Sequence, residues 1–138
     1  MTELAHQRKI IDDFKKAFPG AYGIKMSNRF LSGVPDLFLK APGHDAMFVE
    51  MKVADYKKKG GFVNVGTTLL QRETMRSMER AGIRCEVWVV VVDASGTYML
   101  RTPPEATKVE CSLDSLVKKE RGSPWPLIEF VNNPVRRY

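Results

Sequence analysis

Leu4, Ile11, Phe14 and Phe18 recur at steps of three and four, with Gln7 on the same line. They mark one face of an amphipathic helix over residues 3–18 that Pro19-Gly20 ends. Gln7 is the polar member of that face. Glu3 lies one turn before it, so both look toward whatever the helix packs on. The period then changes. Residues 21–26 are short and mixed enough for a strand, and the turn-prone Ser27-Asn28-Arg29 and Ser32-Gly33 follow. Apolar segments over 34–40 and 46–53 are split by Ala41-Pro42-Gly43-His44-Asp45, which predicts two antiparallel strands joined as a hairpin. Residues 55–66 hold Lys57-Lys58-Lys59-Gly60-Gly61 and predict a mobile basic loop.

Thr68-Leu69-Leu70-Gln71 has the form of a capping box. It opens a helix that runs to Ala81, stops at Gly82 and turns Gln71, Met75, Met78 and Gly82 inward. Residues 85–92 carry almost no polar side chain and are rich in Val, the pattern of a central strand covered on both faces. Residues 97–101 pair with it across Asp93-Ala94-Ser95-Gly96. Past Thr102 the pattern weakens to a short helix over 113–119. Ser123-Pro124-Trp125-Pro126 and Asn133-Pro134 then predict an irregular tail wrapped round the domain or a partner chain. The order is helix, three strands, helix, two strands, and the crossover between residues 49 and 92 predicts a parallel pair. This is an α/β fold with a central mixed sheet flanked by helices, a core over 1–101 and an extension over 102–138.

At 138 residues the chain is one domain. Its 22 Lys and Arg against 16 Asp and Glu leave a net charge of +6, so polyanions, nucleic acid first, are the expected partners. Val87 to Val92 is the longest strictly apolar run, far short of the roughly 20 residues that cross a bilayer. The N-terminus carries no apolar signal segment, and Cys85 and Cys111 lack metal-ligand spacing. These features predict an intracellular, cytoplasmic protein with reduced thiols and no membrane partner.

Candidate chemistry gathers on the hairpin. Strand side chains alternate, so Glu50 and Lys52 point one way and Met51 the other, while Asp36 reaches them across the ladder if the register is right. Two carboxylates so placed repel each other and are costly to desolvate, and a divalent cation removes that cost. Hard oxygen ligands suit Mg²⁺ or Mn²⁺. The bland alternative has Asp36 capping a turn and Glu50 and Lys52 forming an exposed pair on an edge strand. From the residues alone Gln71 is a helix cap and Gln7 a buried amide bonded to a loop, unless either serves a site. His6 and His44 are expected at the surface.

Gly33-Val34-Pro35-Asp36, a hairpin and Glu50-Met51-Lys52 resemble the PD-(D/E)XK signature of the restriction-endonuclease-like superfamily. With Glu3 and Gln7 on the first helix and Gln71 on the second, the chain most resembles the virus-type replication-repair nuclease (VRR-NUC) family over about two thirds of its length. That resemblance implies a metal held by Asp36, Glu50 and the main-chain carbonyl of Met51. It also implies a water assisted by Lys52, a further carboxylate at Glu3 and an active-site amide at Gln71. A Mg²⁺- or Mn²⁺-dependent DNA endonuclease follows, as a homodimer acting on branched DNA such as Holliday junctions, with a virus-encoded origin left open. Two other readings stay open: a non-catalytic DNA-binding module of this fold, and a nuclease subunit of a larger repair assembly.

Lys57, Lys58 and Lys59, with the row Arg72, Arg76 and Arg80, are candidates for phosphate contact. For the arginines a solvated helix face is the competing account, with Arg76 paired to Glu79 or Glu73 to Arg80. Tyr56, Phe62 and Trp125 either stack on bases or pack on their own domain. The segment 125–131 and the edge of the first strand are the candidate dimer surfaces.

Overall fold

The computed structural model describes residues 1–26 and 33–135; the expected turn residues Ser27-Asn28-Arg29 and Ser32 lie outside them. Helix α1 spans Glu3–Ala17 and is capped by Thr2, whose hydroxyl accepts from the Ala5 amide at 3.1 Å. Strands β1 (Tyr22–Lys25), β2 (Leu37–Lys40) and β3 (Met47–Lys57) form an antiparallel meander. After β4 (Phe62–Asn64), helix α2 (Leu69–Arg80) returns the chain so that β5 (Arg84–Asp93) lies parallel to β3. Next come β6 (Gly96–Thr102), β7 (Lys108–Glu110), a single 3₁₀ turn at Leu113–Ser115, β8 (Val117–Lys118) and helix α3 (Leu127–Asn132). The main sheet runs β1-β2-β3-β5-β6-β8, with β4 and β7 as a small flap on β3.

Alternation along the two central strands builds a core on each face of the sheet. Met47, Val49 and Met51 of β3 and Trp88 and Val90 of β5 pack with Ile10 and Phe14 of α1 and Phe130 of α3. Val87, Val89 and Val91 face the other way, onto Met75 of α2 and Val63 of β4, with Phe48 and Ala54 beside them. The even-numbered residues of β3 therefore look toward α2.

Four expectations change. The basic segment 55–66 is a hairpin, because Gly60 and Gly61 both take positive φ and turn the chain while Val63 finds a buried place opposite Tyr56 and Val109. Residues 113–119 give no helix beyond the 3₁₀ turn, since Val117 adds an edge strand opposite Met99. On α2 Met75 is fully buried but Gly82 is exposed, past the end of the helix. On α1 the buried stripe is rotated to His6, Gln7, Ile10, Asp13 and Phe14, leaving Leu4 outside. The C-terminal segment causes that rotation by covering a second side of the helix, where the Trp125 amide donates to Asp13 Oδ2 at 3.0 Å. His6 is thus buried, not a surface histidine.

Trp125, Leu127, Phe130 and Val131 are buried in the same core, which leaves Ile128 and Glu129 as the exposed residues of segment 125–131, and Trp125 is not available to stack on bases. An ionic clamp fastens this segment. Glu86 on β5 is 2% exposed and accepts from Arg84 and Arg101, each at 2.7 Å, and from the Trp88 indole at 3.0 Å. The same guanidinium groups donate to the carbonyls of Phe130, Val131 and Asn133, satisfying the end of α3. Burial by itself would raise the Glu86 pKa, but the charge of Arg101, the Trp88 N–H and Arg84 outweigh it and hold the carboxyl below its ordinary range. Among the described residues no helix is long and apolar enough to cross a membrane.

Removing the carboxylate strands two desolvated cations. Glu86→Ala should lower the unfolding free energy by about 3–5 kcal/mol in urea titration. Because the folded pKa is depressed, the clamp contributes above the ordinary carboxylate pKa and is lost as pH falls through the folded value. The gap between wild type and Glu86→Gln should therefore close in acid; a gap that persists there would assign the stability to packing.

Candidate active site

The register of β2 on β3 pairs Leu37 with Val49 and Phe38 with Phe48, and one further step sets Asp36 beside Glu50. Glu50 and Lys52 share the α2 face of β3, and Met51 is fully buried on the opposite face. The Met51 amide donates to Asp36 Oδ2 at 3.2 Å, which fixes that carboxylate against β3. Glu50 is 1% exposed. Its Oε2 lies 3.4 Å from Lys52 Nζ and accepts from Gln71 Nε2 at 3.4 Å. Its Oε1 is buried with no donor among the described residues.

The Asp36 carboxylate comes within hydrogen-bonding range of Glu50, so two acceptors face each other. Something positive has to lie between them, a proton or a cation. Without a cation, burial first, then the hydrogen bond to Asp36 and its charge, push the Glu50 pKa up to about 8, against the opposing pull of Lys52. An exposed edge pair is therefore the wrong description of Glu50 and Lys52.

Gln71 both closes its helix cap and reaches Glu50. Its Oε1 accepts from the Thr68 amide at 2.9 Å, closing the capping box, while its Nε2 reaches Glu50. Gly33 holds this helix against the Asp36 segment. Its φ is +86°, and a Cβ there would stand 2.6 Å from Thr74 Oγ1 and 3.0 Å from the Leu70 carbonyl. Glu3 stands at the rim, its pKa raised by partial burial, with Lys52, Asp36 and Lys25 all within electrostatic reach. Lys25 is a site neighbour that sequence reasoning missed. It sits opposite Leu37, and the next amide, Met26, donates to the Asp36 carbonyl. Only strand pairing brings it there, and periodicity carries no signal for that.

Other candidates stand apart. Gln7 is buried with its Oε1 unpartnered among the described residues. Lys57, Lys58 and Lys59 begin five residues beyond Lys52, roughly 17 Å along the strand, and Lys58 Nζ lies 4.0 Å from Asp93. Arg72 folds back onto Thr67, donating to its carbonyl and hydroxyl. Arg76 and Arg80 line an outer cleft of about 450 Å³ with Glu79 and Glu105. The Tyr56 hydroxyl donates to the Cys111 carbonyl at 2.7 Å, and Lys108 covers the Phe62 ring at 4.3 Å, so both aromatics pack on their own domain. His44 packs edge-on against Phe18.

Among the described residues no group of three or more His, Cys, Asp or Glu side chains lies close enough to hold an ion. The donor set is the Asp36 and Glu50 pair with nearby main chain. A Glu50 carboxylate with one oxygen lacking a donor and a second carboxylate within hydrogen-bonding range fits a hard divalent cation.

No protein-family model matches the chain, and no curated protein matches its sequence. In structure it is similar to Hjc of Archaeoglobus fulgidus, a Holliday junction resolvase from an archaeal hyperthermophile. The TM-score is 0.55 at 17% identity, covering 83% of this chain and 94% of Hjc. At that identity the likeness shows the fold, which is the restriction-endonuclease-like mixed sheet flanked by helices.

A carboxyl whose folded pKa is raised costs stability once the pH exceeds its ordinary value of 4.5, and the full cost is reached near 8. In EDTA, Glu50→Gln should match wild type at low pH and exceed it increasingly up to about pH 9, by on the order of a few kcal/mol. Urea titrations across that range test this. A constant difference would show that Glu50 is not the titrating group.

Proposed function

We propose that the chain is a metal-dependent endonuclease of the virus-type replication-repair kind, hydrolysing phosphodiester bonds of DNA, with branched DNA as the preferred substrate. The observation that carries this reading is a buried Glu50 carboxylate with Asp36 in hydrogen-bonding range, one of its oxygens without a donor while Lys52 and Gln71 occupy the other. A purely structural carboxylate gains nothing from that arrangement. Asp36 and Glu50 would hold Mg²⁺ or Mn²⁺, which suit hard oxygen donors. Such an ion supplies positive charge against the charge that builds on the phosphodiester and lowers the pKa of an attacking water.

The remaining roles belong to the chain itself. The Lys52 side chain is 19% exposed while its ammonium is held by Glu50, so it can donate to a phosphate oxygen or orient the water. Gln71 anchors Glu50 from a helix end that its own cap makes rigid. Glu3 adds a carboxylate at the rim, and Lys25 beside it offsets the acidic site toward an incoming polyanion. The preference for branched DNA is argued from the fold shared with a Holliday junction resolvase. A two-fold homodimer would place two such sites on opposed strands, and the exposed edge strand β1, with Tyr22 57% exposed, is the surface we assign to it.

Cleavage of linear duplex, single-stranded, flapped and four-way DNA in Mg²⁺, Mn²⁺ or EDTA tests the reading. Cutting should need metal and favour the branched substrates. Asp36→Asn and Lys52→Ala should each lower kcat by about 10²–10³-fold or more with DNA binding retained. Mn²⁺ should raise the melting temperature of wild type but not of Asp36→Asn. Undiminished cutting by Asp36→Asn, or cutting in EDTA, would refute the metal site, and a monomer by light scattering would refute the dimer.

A further inference from the structure

Beside α1, a cavity of about 380 Å³ opens between the helix, the start of β6 and the turn after β8. Its walls carry Lys9, Lys119 and Arg121, with Glu120 the one acidic side chain among its lining residues. Two of the cations have local partners: Lys9 Nζ lies 2.9 Å from Asp13, and Lys119 Nζ donates to the Ser123 carbonyl at 2.6 Å. Arg121 makes no hydrogen bond or ion pair among the described residues. His6, 6% exposed, also lines the cavity, and its Nε2 has no partner among the described residues. Gly122 stands at the mouth with φ +77° and nothing within 4 Å of where a Cβ would be, so its backbone is open to a ligand.

Asp13 offsets the charge of Lys9, but Lys119 and Arg121 have no ion pair among the described residues, and an anion would pair them. A tetrahedral oxyanion matches these groups, since a guanidinium and ammonium groups donate and cannot accept. The cavity is also tied to the catalytic centre. Helix α1 carries Glu3 at the active-site rim and Lys9 at the cavity, about 9 Å apart along the axis at 1.5 Å per residue. At about 3.4 Å per nucleotide, that is a few nucleotides of a stacked strand.

We propose that this cavity is a phosphate subsite, holding the backbone of the nucleic-acid strand a few nucleotides from the scissile bond. The proposal rests on the reading of the chain as a DNA nuclease. Arg121 supplies the main contact, and Lys9 and Lys119 supply the field.

The test is an amide NMR titration of the Asp36→Asn chain, which is expected to bind without cutting, using a single-stranded oligonucleotide in one arm and inorganic phosphate in the other. The oligonucleotide should shift the amides of Thr97, Glu120 and Gly122. Arg121→Glu should abolish those shifts and reduce the slope of log Kd against log salt by about 0.7. Lys15→Glu makes the same charge change on an exposed part of α1 outside the cavity and should leave the shifts in place. Unchanged melting temperatures show that both variants fold. No shifts with the oligonucleotide, or shifts that survive Arg121→Glu, would overturn the subsite, and shifts with inorganic phosphate alone would overturn its assignment to a strand. Oligonucleotide-dependent shifts, together with a wild-type chain that cuts no DNA in any metal, would uphold strand binding at the cavity while refuting the nuclease reading.

Discussion

The burial of Glu50 is the constraint on which the site's construction turns. A carboxylate at 1% exposure in the middle of β3 is costly, and the neighbouring elements meet that cost only in part. Lys52 and Gln71 attend one oxygen, the other has no donor among the described residues, and the Asp36 carboxylate lies within hydrogen-bonding range. Each supporting group comes from a different element: Lys52 from the same strand, Asp36 from the start of β2, Gln71 from the first turn of α2. The sheet register and the helix position must therefore both be right before the centre exists. That requirement links folding to function more tightly than any single contact.

Gly33 shows how little slack there is. The segment leading into β2 passes so close to α2 that a methyl group would overlap Thr74, and its positive φ would itself be strained for another residue. The close approach holds the Asp36 segment against the helix that carries Gln71. The capping box does the same from the other side, since one amide group both closes the helix and reaches the strand.

Much of this was legible in the sequence because it is local. Alternation put Glu50 and Lys52 on one face, the capping box opened α2, and the Val-rich run marked β5 as the central strand. What was not legible depends on partners far along the chain. The lysines at 57–59 dominate their segment's composition, yet Val63 behind them finds a buried place on the β3 flap, so a hairpin forms where composition reads as loop. His6 looks like a surface residue on a helical wheel but lies on the buried stripe of α1 with Asp13, to which the amide of Trp125, over a hundred residues away, donates. Lys25 joins the site through a pairing that no local pattern encodes.

Glu50 and Glu86 are a controlled comparison within one molecule. Both are glutamates on the two central strands, and both are essentially inaccessible. Glu86 receives donors on both oxygens from two arginines, an indole and an amide, and its pKa falls below the ordinary value in spite of burial. Glu50 has one ammonium and one amide on a single oxygen, no donor on the other and a second carboxylate close by, and its pKa rises. Burial is the same in the two places, so burial does not distinguish their roles. The donor inventory does: Glu86 is complete without anything added and holds α3 in place, whereas Glu50 stays incomplete until a positive species joins it.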